Sequence, residues 1–142
     1  MRIAVVVAEF NAFVTHRLRD GALAQLRDAG VTDVRVISVP GAFEVPQMAR
    51  RIAAAGECDG VVCLGCLIRG ATPHFDFIAS AVAHGITAAA LDSGVPMSFG
   101  VLTTNSAEEA LERAVEGPSN KGREAAQAVL DMARAYRALA PS

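Results

Sequence analysis

The sequence predicts an α/β domain, a three-layer αβα sandwich around a four-stranded parallel sheet. Three observations carry this. Short apolar runs alternate with longer stretches of helical periodicity along the whole chain. The first and third runs are apolar at nearly every position, as strands buried on both faces are. Residues able to do chemistry gather just after each run, and open parallel sheets bind ligands outside the carboxyl ends of their strands.

Ile3 to Ala8 (IAVVVA) reads as the first buried strand. From Val14 to Ala29 the pattern is helical, with Leu18, Ala22, Leu23 and Leu26 recurring at three and four, and Gly30 stops it. Val34 to Val39 is the second strand, ended by Pro40-Gly41, and Val45 to Ala55 the second helix. Gly60 to Ile68 (GVVCLGCLI) is the third strand. Asp76 to Ala90 is a helix, with a break foreseen near Gly85. Pro96 to Thr103 is the fourth strand. Asn105 or Ser106 caps the next helix, and Ser106 with Glu109 has capping-box spacing. Lys121 to Leu139 is a final amphipathic helix, with Ala125, Val129, Met132 and Tyr136 on one stripe. Right-handed crossovers between such elements give a parallel sheet with helices on both faces.

No linker or repeat divides residues 1–142, so one domain is expected. Apolar residues make up 52% of the chain, high enough to imply apolar surface buried against other subunits, hence a homo-oligomer. A net charge of -2 leaves no basic footprint for nucleic acid. The longest uncharged run, Phe77 to Leu91, is shorter than the ~18–20 residues of a spanning helix, and no export core precedes Glu9, so no membrane partner is expected. The odd count of three cysteines in such a chain reads as reduced thiols of a cytoplasmic protein.

The loop after the third strand holds Gly70, Ala71, Thr72 and then His74. Backbone N–H groups of such a turn, leading into a helix, suit an anion, and Thr72 adds a hydroxyl. His74 beside them can move a proton near neutral pH. The plainer alternative is an ordinary strand-to-helix turn, with Thr72 as N-cap, Pro73 first in the helix and His74 exposed. Arg113 and Lys121 flank the turn Gly117-Pro118-Ser119-Asn120 and suit a phosphate, or are simply solvated charges. Phe10 and Phe99 sit at strand ends, placed to stack on a flat ligand or to pack in the core. Glu44, next to Phe43, either accepts hydrogen bonds from ligand hydroxyls or complements a helix dipole. Cys63 and Cys66 have CxxC spacing, but positions three apart on a strand face opposite sides and no further ligand pair has zinc spacing. No metal site follows.

The segments EFNAFVT, VPGAFEVP, LGCLIRGATPHFD, FGVLTT and SNKG, in this order, resemble the lumazine synthase family over nearly the whole chain. That resemblance implies a flavodoxin-like fold and a transferase of riboflavin biosynthesis that needs no cofactor. The implied reaction condenses 5-amino-6-(D-ribitylamino)uracil with 3,4-dihydroxy-2-butanone 4-phosphate to 6,7-dimethyl-8-ribityllumazine. By the same resemblance, Phe10 stacks on the pyrimidine, and Ala42, Phe43 and Glu44 hold its ribityl chain and ring edge. Cys66, Leu67 and Ile68 line the ring site through backbone contacts. Ala71 and Thr72 grip the phosphate, Arg113 is its countercharge, and His74 transfers protons. Phe99 belongs to the neighbouring subunit, as does the part of the site near Arg113 and Lys121. Members form pentamers, some of which close into icosahedral shells. Glu9 stands where many members carry a basic residue, and Glu116-Gly117-Pro118-Ser119 lacks a lysine and a glycine often seen there. The alternatives are an archaeal-type riboflavin synthase and a non-catalytic relative that binds flavin or lumazine or only builds a shell.

Overall fold

The computed structural model describes residues 1–139. The expected domain runs on to Ser142, and residues 140–142 lie outside the described ones. Ten elements follow one another: β1 (Arg2–Ala8), α1 (Ala12–Asp28), β2 (Asp33–Val39), a 3-10 turn (Ala42–Glu44), α2 (Val45–Ala54), β3 (Gly60–Ile68), α3 (His74–Ser93), β4 (Met97–Thr104), α4 (Ala107–Glu112) and α5 (Lys121–Leu139). The strands form one sheet in the order β2-β1-β3-β4. All three pairings are parallel, with Val5 opposite Val36 and Val62, and Leu64 opposite Gly100. The chain is therefore the predicted α/β sandwich.

β1 shows why. Its side chains alternate between faces, and both faces are dry. Ile3, Val5 and Val7 join Val62, Leu64 and Cys66 under α1 and α5, against Leu18, Leu26, Val129 and Leu130. Ala4, Val6 and Ala8 join Val61 and Cys63 under α2 and α3, against Val45, Ile52, Val82 and Ile86. Cys63 and Cys66 thus lie in different cores, as the strand period requires. Burial pushes the Cys63 thiol up to about 12 and the Cys66 thiol to about 11, so neither is a ready thiolate.

α1 stops where Gly30 takes a left-handed φ of 82°. The Gly30 N–H donates to the Arg27 carbonyl and the Val31 N–H to that of Leu26, which satisfies the last turn. The α1–α5 contact is unusually close. A Cβ on Gly122 would fall inside the Leu18 carbonyl, and one on Gly21 would strike the Asn120 side chain. Asn120, 1% exposed, closes this contact. Its Nδ2 donates to the carbonyls of Arg17 (3.3 Å), Ala114 (3.1 Å) and Val115 (3.1 Å). Its Oδ1 accepts from the N–H groups of Gly122 (2.8 Å) and Arg123 (3.1 Å), capping α5.

Two expectations need correction. α3 begins two residues earlier than predicted and continues unbroken through Gly85 to Ser93, where Gly94 ends it at φ 70°. Gly85 serves close packing, since a Cβ there would lie 2.8 Å from Pro46 of α2. On α5, Ala125 and Val129 are buried, but Met132 and Tyr136 are about half exposed. The buried row is Gly122, Ala125, Ala126, Val129, Leu130 and Ala133, which turns Met132 to the edge of the packed face. By length and composition α3 alone among the described helices is apolar enough to cross a membrane. It packs instead on α2 and the sheet through Val82, Ile86 and Ala89, and leaves Phe77 and Leu91 exposed.

Candidate active site

The carboxyl ends of the strands open into one cleft of about 680 Å³. Phe10 and Asn11 enter it from the β1–α1 turn, Gly41 to Glu44 from the 3-10 turn, Leu67 and Ile68 from β3, and Gly70, Thr72, His74, Phe75 and Ile78 from the β3–α3 loop and the start of α3.

Each wall has a local cause. The Phe10 N–H donates to the Pro40 carbonyl at 2.9 Å, which ties the end of β1 to the end of β2. Phe10 is then left 69% exposed, an aromatic side chain open to a planar ligand. Gly41 allows Glu44 to fold back, since a Cβ there would sit 3.3 Å from Glu44 Oε1 and 3.9 Å from Phe10 Cβ. Gly65 of β3 lets Ala42 press onto the strand, for a Cβ on it would stand 3.3 Å from that of Ala42. Ala42 is buried, whereas Phe43 is 54% exposed and Glu44 half-buried.

The β3–α3 loop is exposed from Arg69 to His74. Thr72 Oγ1 accepts the His74 N–H at 3.4 Å, a weak contact, and Pro73 takes the N-cap position. The helix therefore starts at His74, one residue later than a Thr72 cap with Pro73 first would place it. Nothing stands within 4 Å of where a Gly70 Cβ would be, so the loop is open to an incoming group. The His74 imidazole has no hydrogen-bond partner among the described residues.

The structure thus brings Phe10, Ala42, Phe43, Glu44, Leu67, Ile68, Thr72 and His74 around one cleft, with Ala71 in the same loop. Cys66 is buried and does not itself line the cleft; its carbonyl accepts from Nδ2 of Asn11, which does, at 2.9 Å. Phe99 and Lys121 are elsewhere. They line a separate groove of about 460 Å³ along β4, the sheet edge, and α5. Arg113, at the C-cap of α4, lines neither, and its Nη1 donates to the Glu109 carbonyl at 2.9 Å. Its own carbonyl accepts from the Lys121 N–H at 2.9 Å, so the two cationic residues are neighbours.

Asn11 was missing from the sequence-predicted site. It is the only residue besides glycine with positive φ, 65°, among the described ones. The signal was an Asn between strand end and helix start, since Asn tolerates this conformation. Glu9 lies just outside the cleft. Hydrogen bonding from Ser38 and from His16, whose Nε2 is 2.7 Å from Glu9 Oε2, holds its carboxyl below the usual range.

A family model described as 6,7-dimethyl-8-ribityllumazine synthase matches residues 1–137. A relative from Desulfotalea psychrophila (strain LSv54 / DSM 12343), called 6,7-dimethyl-8-ribityllumazine synthase, is 46% identical over 140 residues, which is 97% of this chain and 90% of the relative.

Proposed function

This chain belongs to the 6,7-dimethyl-8-ribityllumazine synthase family, the transferases that make the lumazine of riboflavin biosynthesis, and from that premise we propose how its cleft divides the work. The observation that carries the division is a single cleft with an aromatic and carboxylate wall on one side and an open, small-residue loop on the other.

On the first side, Phe10 stacks on the pyrimidine, while Ala42, Phe43 and Glu44 take its ribityl hydroxyls and ring edge. Cys66, Leu67 and Ile68 offer backbone groups to the ring. On the second side, Ala71 and Thr72 hold the phosphate of the dihydroxybutanone phosphate, whose charge is met by Arg113. The 5-amino group of the pyrimidine attacks the ketone carbon, and loss of water gives an imine. Phosphate then leaves, carrying the electrons of its C–O bond. The ribitylamino nitrogen closes the ring with loss of a second water. Each step moves a proton on or off nitrogen, carbon or oxygen, and His74, between the two walls and without a competing partner, is placed to move them. The rest is positioning, which alone is worth orders of magnitude for a bimolecular condensation.

The site is shared between subunits in this reading. Phe99 and Lys121 line a different groove from the cleft and Arg113 lines neither, which supports their being brought to it by a second chain. Exposed Phe77, Leu91 and Phe99 supply apolar surface for such a homo-oligomer, a pentamer by the family resemblance. Light scattering on the purified protein reads this directly; a monomer at working concentration would end it. The chain acts as one domain on two small-molecule substrates in the cytoplasm, where its three unpaired cysteines suit a reducing compartment.

The primary test is formation of the lumazine chromophore from both substrates, faster than without protein. Protein that binds the pyrimidine without accelerating the condensation would refute catalysis. His74→Ala is expected to lower kcat by no more than about 100-fold, the low end of what a general acid–base contributes, because an aromatic amine and a ketone condense unaided. Complete loss of turnover in a folded His74→Ala protein would contradict that minor role.

A further inference from the structure

We propose that Arg69 is a positioning residue for the phosphate loop, fixing the near end of Gly70 to Pro73 through its backbone N–H and the far end through its guanidinium. This role rests on the reading that Ala71 and Thr72 hold the substrate phosphate.

The loop is exposed along its length and nothing packs on Gly70. A turn of this kind must have its N–H groups held in place before it can bind an anion well. The backbone does part of this: the Arg69 N–H donates to the Thr104 carbonyl at 2.8 Å and fixes the loop's first residue to β4. The far end is fixed by the Arg69 side chain, which reaches over the loop to α3. Its Nη2 stands 3.2 Å from Asp76 Oδ1 and its Nη1 donates to Asp76 Oδ2 at 3.3 Å. The guanidinium carbon Cζ lies 4.5 Å from the Phe75 ring centroid. The remaining nitrogen, Nε, donates to Asn105 Oδ1 at 3.1 Å in the turn after β4.

A surface ion pair ordinarily does little. This one differs in geometry. All three guanidinium nitrogens are engaged, the carboxylate is met by two of them, the cation lies over an aromatic ring, and the partners sit on different elements. A lysine cannot reproduce that set, because its ammonium is a single point without a fork or a plane. The Asn105 contact also extends to Arg113. The Asn105 N–H donates to Glu109 Oε2 at 2.7 Å, and the Glu109 carbonyl holds Arg113 Nη1. Arg69 therefore braces its own loop and the turn leading to the chain's phosphate-binding arginine.

The test is steady-state kinetics of full-length Arg69→Lys, Arg69→Gln and Asp76→Asn, with each substrate varied in turn. KM for the dihydroxybutanone phosphate should rise about tenfold or more in all three, since small misplacements of binding groups cost that much. KM for the pyrimidine should stay within about twofold, which global damage would not allow. Arg69→Lys should rescue little, and the Arg69→Gln/Asp76→Asn double variant should be hardly worse than either single change. An unchanged KM for the phosphate substrate in the Arg69 variants, with a raised one in Arg113→Ala, would overturn the clamp and leave the phosphate site standing. No change in any of them, Arg113→Ala included, would overturn the phosphate-loop reading and the clamp with it. Equal rises in both KM values would also overturn the clamp.

Discussion

Asn120→Ala should unfold roughly 10 °C below the parent protein at equal concentration, a loss of about 3 kcal/mol. The side chain is 1% exposed and serves three elements at once. Its amide satisfies carbonyls of α1 and of the stretch after α4, and its oxygen caps α5. Truncation leaves the buried Gly122 N–H and the Ala114 carbonyl without partners, and water has little room to replace them where glycines let α1 and α5 touch. Asn120→Asp separates the two halves of the role. It keeps the capping oxygen but turns a second oxygen toward three carbonyls, so it should destabilise nearly as much. A neutral Asp variant would mean that the cap alone matters. Because the Lys121 N–H donates to the Arg113 carbonyl beside this clasp, either variant should also impair turnover below its melting range.

The second large effect is on substrate use. Arg113→Ala should raise KM for the dihydroxybutanone phosphate by roughly 30- to 150-fold, the loss of about 2–3 kcal/mol from a charge-assisted contact to phosphate. Only one guanidinium nitrogen is tied within the chain, to the Glu109 carbonyl, and no carboxylate lies at ion-pair distance among the described residues. The free side of the fork is thus available to an anion. Arg113→Lys should recover part of the loss through charge alone. Pyrimidine binding, followed by fluorescence, should not move. A parallel loss for both substrates would point to a disordered α4–α5 turn and away from a phosphate contact.

The frame of this fold was legible because it rests on local signals. Apolar runs set the strands, Gly30 ends α1 at positive φ, and Ser106 caps α4 by accepting the Glu109 N–H at 3.1 Å. The errors arose where a residue's role depends on what faces it. Gly85 looked like a helix break, and Pro46 opposite makes it a contact. Met132 and Tyr136 continued a plausible stripe, but the sheet beneath α5 does not reach them. The cleft residues were legible in groups, since each group follows its own strand. The Asn11 contact and the reach of Arg69 to Asn105 were not, because they span 55 and 36 residues and only the folded sheet brings their ends near, although the Arg69 pair with Asp76 spans only seven. Nor did spacing alone reveal that Phe99 and Lys121 would stand apart from Phe10 and His74. The distance between those two grooves on one chain is what makes the shared site the centre of the account.

That centre is best tested by mixing subunits. Phe10→Ala damages the cleft side and Arg113→Ala the side given to a neighbour, and each alone should be poor at low substrate. Co-assembled in equal amounts, the two should regain activity, because about a quarter of the interfaces then pair an intact cleft with an intact arginine. Activity of the mixed oligomer equal to the average of the two separate variants would contradict a site shared between subunits.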